Sequence, residues 1–143
     1  MADAEEPRIE LNISPEKVCY IIAKAREFDA EVEPAGPDAG SNPVDTRESE
    51  VLEDYRGDPT FAELRAAIDN LNDDEVIDVI ALAWLGRGDF VRSEWADARA
   101  LARERHRHHS GAYLTGIPTL GDFLEEGLSA VGHSCEGEHL GHF

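Results

Sequence analysis

The stretch Val76-Ile77-Asp78-Val79-Ile80-Ala81-Leu82-Ala83-Trp84-Leu85 constrains this chain more than any other. Nine of its ten residues are apolar, so as a helix it has no polar face to give to water. It is too short to cross a bilayer, which takes roughly 20 apolar residues. Its flanks say helix. Asn72 and Glu75 have the spacing of a capping box, and Asp73, Asp74 and Glu75 put negative charge at the positive end of the helix dipole. Gly86 and Gly88 suit a left-handed C-terminal cap. A helix over 73–86 must therefore be enclosed by other elements.

Those elements are also helical. Val18, Ile21, Ile22, Ala25 and Phe28 share one face of a helix that starts at Asn12 or Ser14, with Pro15 in its first turn. A second helix begins at Asp58-Pro59-Thr60, where Thr60 and Glu63 have capping-box spacing, and buries Phe61, Leu64, Ala67, Ile68 and Leu71. After the central helix, Asp89 is placed to cap a helix over Phe90–His108 with an inward stripe of Val91, Trp95, Ala98 and Ala102. A last helix from Pro118 turns Leu120, Phe123, Leu124, Leu128 and Val131 inward, with Gly127 on the same face to allow close approach, and ends at Gly132. No segment alternates as a strand does. The prediction is an all-α fold: a compact bundle of about five helices around the central one, in a single domain over 1–143. Residues 31–57, dense in proline, glycine and acid, read as a linker with one short helix carrying Val51, Leu52 and Tyr55. Residues 133–143 read as a flexible tail.

Charge narrows the functional classes. With 13 basic and 31 acidic side chains the formal net charge is −18, which opposes nucleic-acid and anionic-membrane binding. The start of the chain has neither the basic nor the apolar region of a signal peptide, so the expected location is cytoplasmic. The exception to the acidity is 91–110, where five arginines face three acids. Arg92, Arg99, Arg103 and Arg107 fall on one stripe, with His106 at its edge. Pairing with the chain's own carboxylates, such as those in 46–54, is the expected use of that stripe. An anion or acidic-partner site is the sharper alternative, and Trp95, Arg99, Arg103 and Arg107 are the binding residues it names.

No catalytic constellation emerges. There is no Gly-x-Ser-x-Gly, His-Glu-x-x-His, phosphate loop or dinucleotide fingerprint. His133, Cys135 and His139 have zinc-ligand chemistry but match no strong zinc signature, so no cofactor is expected and zinc is kept as an alternative. Cys19 and Cys135 are too few and too far apart to suggest a disulfide scaffold; Cys19 reads as a packing residue. Asp78 reads as structurally paired with an arginine, and Arg87-Gly88-Asp89 as a joint between helices rather than an integrin ligand.

Trp84-Leu85-Gly86-Arg87-Gly88-Asp89, Glu94-Trp95, Tyr113-Leu114, Pro118 and Leu120-Gly121-Asp122 through Gly127-Leu128 resemble a bacterial family of small proteins, frequent in α-proteobacteria, catalogued only as a domain of unknown function. The resemblance spans roughly Thr60 to Cys135, with 11–29 also similar, and implies a helical fold in a bacterial cytoplasm, without an established activity. The expectation is a binding or scaffolding module without catalysis, recognising a protein partner or a second copy of itself. A metal-binding protein using the terminal His/Cys cluster and an acidic nucleic-acid mimic aimed at a basic partner are the alternatives.

Overall fold

A computed structural model of the protein describes residues 8–32, 58–106 and 110–135. It is all-α, as expected: among the described residues there are six α-helices, one 3-10 turn and no strand. The linker with its short helix, Arg107, His108, His109 and most of the predicted tail, His139 included, lie outside the described residues.

The helices are α1 (Pro15–Val32), α2 (Pro59–Asp69), α3 (Asp73–Arg87), α4 (Trp95–Arg105), α5 (Ser110–Thr115) and α6 (Leu120–Ala130). The 3-10 turn Arg92–Glu94 leads into α4. The central helix is as predicted. The Asn72/Glu75 capping box is closed in both directions, Asn72 Oδ1 accepting from the Glu75 N–H at 2.8 Å and Glu75 Oε1 from the Asn72 N–H at 2.9 Å. Val79, Ile80, Ala81 and Leu82 are completely buried, so successive residues on every side of α3 are covered. Sheer burial of so many apolar side chains, each worth about 1.5–3 kcal/mol, makes α3 the core.

Neighbouring helices pass contact round a circuit. α4 packs on α3, α3 on α6, α6 on α1, α1 on α2, and α2 on α5. Two glycines set the closest approach. A Cβ on Gly86 would lie 1.8 Å from the Phe123 carbonyl oxygen, and one on Gly127 would lie 2.1 Å from that of Leu82. Gly127 thus does what its position on the inward face predicts. Gly86, expected as a cap, is instead a contact residue inside α3; Gly88, at φ 94°, is the left-handed cap.

Other boundaries shift for local reasons. α2 is capped by Asp58, whose Oδ1 accepts from the Thr60 N–H at 2.8 Å, because Pro59 already occupies the first helical position; Thr60 is inside the helix. Asp89 does not cap the next helix, since Arg87 engages its carboxylate at 2.7 Å. The expected helix over Phe90–His108 is a 3-10 turn followed by the shorter α4, and α5 was not foreseen, its six residues being too few to show a period.

The two cysteines require the largest correction. Cys19 is buried in the core as expected, but its sulfur is bonded to that of Cys135, with the Cα atoms 5.7 Å apart. Separation along the chain says little about separation in space once α1 lies against α6. Next to this bond, a strap of residues 8–14 crosses the bundle. The Ile9 N–H donates to the Val131 carbonyl at 2.9 Å, and His133 Nε2 donates to the Ile9 carbonyl at 3.0 Å.

Candidate functional site

The arginine stripe is occupied from within. Arg99 Nε donates to Asp78 Oδ1 at 2.6 Å, and Arg103 Nη2 to Asp74 Oδ1 at 2.8 Å. Asp74 and Asp78 are one helical turn apart on α3, so α4 lays its arginines along a matching acidic edge. These two partners come from the central helix; the expected partners in 46–54 lie outside the described residues. Arg92 donates to the Ala130 carbonyl at 2.9 Å. Trp95 is half-buried and packs against the core.

Asp78 is the focus of this arrangement. Its carboxylate has no exposed surface, yet it receives Arg99 and also the N–H groups of Asn12 at 2.5 Å and Ile13 at 3.3 Å. With three donors satisfied, it joins the strap, α3 and α4; the expected structural pairing with an arginine is what the fold shows.

The opposite face of α4 is different. Leu101, Arg105 and His106 line a cleft of about 590 Å³ together with Trp84, Arg87, Asp89, Phe90 and Tyr113. The rings make a continuous wall. His106 and Tyr113 stack with centroids 4.1 Å apart, Trp84 and Phe90 with centroids 5.9 Å apart, and His106 meets the Trp84 ring edge-on at 5.8 Å. Trp84 Nε1–H donates to Tyr113 Oη at 2.9 Å, closing the helix circuit by tying α5 back to α3. The pair Arg87–Asp89 braces the turn after α3, so the Arg87-Gly88-Asp89 tripeptide is a joint between elements.

Electrostatics at the cleft are specific. Burial, and then the charge of Arg105, push the His106 imidazole below its usual value, so it is neutral near pH 7. Arg105 has no carboxylate partner among the described residues, in a chain with 31 acids. Such a wall can hold a flat ring by stacking, and the guanidinium can hold a negative group beside it. Among the described residues the wall holds no nucleophile paired with a base.

Of the zinc candidates, Cys135 is committed to the disulfide and His133 to the Ile9 carbonyl. Among the described residues no group of three or more His, Cys, Asp or Glu side chains is arranged to hold a metal ion. No helix among them is long and apolar enough to cross a membrane.

Fold and cleft together define an all-helical protein with a ring-walled, arginine-edged recess at the end of its central helix. The family model described as proteins of unknown function, DUF3775, matches residues 61–133, or 73 of the 143 residues, and the chain belongs to that family. No curated protein and no solved structure matches it. All the cleft residues fall inside the matched span, whereas the strap and both cysteines fall outside it.

Reading the sequence for clusters missed this cleft. Its rings come from three separate segments, and only Trp84 and Tyr113 stood in the strings that carry the family resemblance. Arg105 lies two residues beyond Arg103, roughly 200° round the helix from it, and so off the stripe that drew attention.

Proposed function

We propose that the protein is a binding module without catalysis, and that the cleft between the end of α3, α4 and α5 receives an aromatic side chain of a partner protein flanked by acidic residues. The observation that carries this reading is Arg105, a cation without a carboxylate partner among the described residues, standing at a wall of four rings. Trp, Tyr and Arg are the residues that most often dominate binding energy at interfaces. The stripe formed by Arg99 and Arg103 is a weaker surface for the same purpose, because its guanidiniums already hold Asp78 and Asp74. A second copy of the chain is the partner favoured by Val91, which is 60% exposed beside Phe90 and extends the apolar rim.

Trp84 is a built-in reporter. In a Trp95→Phe background, titration with a short acidic peptide carrying one phenylalanine should shift the Trp84 fluorescence. The same peptide with alanine for phenylalanine, or lysine for its acids, should not. Arg105→Ala should weaken binding at least about tenfold, as expected for a lost charge-assisted contact of roughly 1.5–3 kcal/mol. Equal responses to all three peptides would sink the reading. Light scattering across a hundredfold range of protein concentration decides whether the partner is a second copy.

A further inference from the structure

The cleft holds unspent groups of both signs. Arg105 has no carboxylate partner among the described residues. Arg87 donates from Nε and Nη2 to the same oxygen of Asp89, Oδ2, so Asp89 Oδ1 accepts from no side chain among the described residues. On the wall itself, Tyr113 Oη accepts from Trp84, and its own proton has no acceptor among the described residues. The occupant that complements all three brings a carboxylate, a ring carrying a hydroxyl and a cation, close together along one segment.

The chain contains such a segment. Glu53-Asp54-Tyr55-Arg56 sets two acids before a tyrosine and a base after it, in a stretch outside the described residues. The other aromatic residues do not compete. Phe143, also outside the described residues, has no acid within four positions of it. Among the aromatic residues that are described, only Tyr20 is exposed, and it stands under the Lys24 ammonium between Cys19 and Ile21.

We propose, resting on the reading of the cleft as a binding site, that its partner is a second copy of this chain, whose Tyr55 enters between the rings. Glu53 or Asp54 then meets Arg105, the Tyr55 hydroxyl accepts from Tyr113, and Arg56 meets Asp89. Every copy carries both a cleft and a segment, so a two-fold dimer fills two clefts at once. The same contact covers Val91, the 60% exposed apolar side chain on the rim.

Light scattering of the full chain at about 0.15 M salt tests this, since repulsion between two chains of charge −18 is then screened beyond roughly 8 Å. The unmodified protein should go from monomer to dimer as its concentration rises. Tyr55→Ala and Arg105→Ala should each raise the dimer dissociation constant at least about tenfold, as expected for a lost ring anchor or charge-assisted contact. The two variants mixed should associate more tightly than either alone, because one still brings a cleft and the other a segment. In a Tyr55→Ala, Trp95→Phe protein, a peptide of residues 49–57 should shift the Trp84 fluorescence, and the same peptide with alanine at 55 should not. A chain that stays monomeric, or a Tyr55→Ala variant that dimerises like the unmodified protein, overturns the proposal. So does a Trp84 shift on Tyr55→Ala substitution that is independent of concentration, which would put the segment over its own cleft. Silence of the 49–57 peptide where the acidic phenylalanine peptide still responds removes self-recognition alone; silence of both removes the cleft reading as well.

Discussion

Asp78 shows how a carboxylate can sit fully buried in the most apolar helix of a chain. It is tolerated because an arginine and two backbone N–H groups converge on it, and removing it strands all three donors. Asp78→Ala should therefore lower unfolding stability in urea by about 3–5 kcal/mol, the range for breaking a buried ion pair from one side. Glu75 and His106 each contribute to the response to acid. Hydrogen bonding to Lys17 and to the Asn72 backbone holds the Glu75 carboxyl below its ordinary 4.5. Burial and Arg105 hold His106 below its ordinary 6.5. In both cases the unfolded chain takes up the proton first as pH falls, so stability is complete above the ordinary value and is lost below it. Melting temperature should start to drop below pH 6.5 and drop again below 4.5. His106→Gln should remove the first step and Glu75→Gln should shrink the second, to which Asp58 and Asp74, also held below their ordinary 3.8, add at lower pH; an unchanged profile in either variant would refute that assignment.

Among the elements, α3 and α6 are the pair on which the bundle is built. Gly86 and Gly127 each touch the partner's backbone, Phe123 and Leu82 respectively, and those positions are spaced four apart on both helices. Backbone cannot rotate aside as a side-chain end can. Gly127→Ala should therefore lose about 1–3 kcal/mol to overpacking, even though alanine is the better helix former by about 1 kcal/mol. Gly88→Ala is the informative control, since a Cβ there meets open space and only the positive φ is strained. Its loss should be near 1 kcal/mol. Thermal or urea unfolding of both variants gives the comparison. Equal losses would mean the helices can move apart freely.

For the molecule as a whole, the family-matched span is smaller than the cooperative unit. α1 lies outside residues 61–133, yet it covers α6 and α2. Its Val18, Ile21, Ile22, Ala25 and Phe28 are all buried in the shared core. A fragment covering 58–135 should stay partly helical but bind a hydrophobic dye such as ANS and unfold without a sharp transition. A cooperative fragment with no dye binding would show that α1 is dispensable.

How much was legible depends on which residues carry the information. Capping at Asn72 and Glu75, the apolar run of α3 and the small Gly127 act within one or two turns of their own helix, so local order along the chain displayed them. The same holds for the amphipathic face of α1. What pairs with that face is another matter. The Cys19–Cys135 bond, the arginine–aspartate edge between α3 and α4, the role of Gly86 and the cleft of Trp84, Phe90, His106 and Tyr113 each join residues from different elements. Local hydrophobic periodicity and capping chemistry were enough to determine the long helices, though not the six-residue α5 or the 3-10 turn before α4, and which helix lies at the centre. Only the tertiary structure decided which side chains meet, because those contacts depend on how the helices lie against one another, and spacing along the chain does not record that.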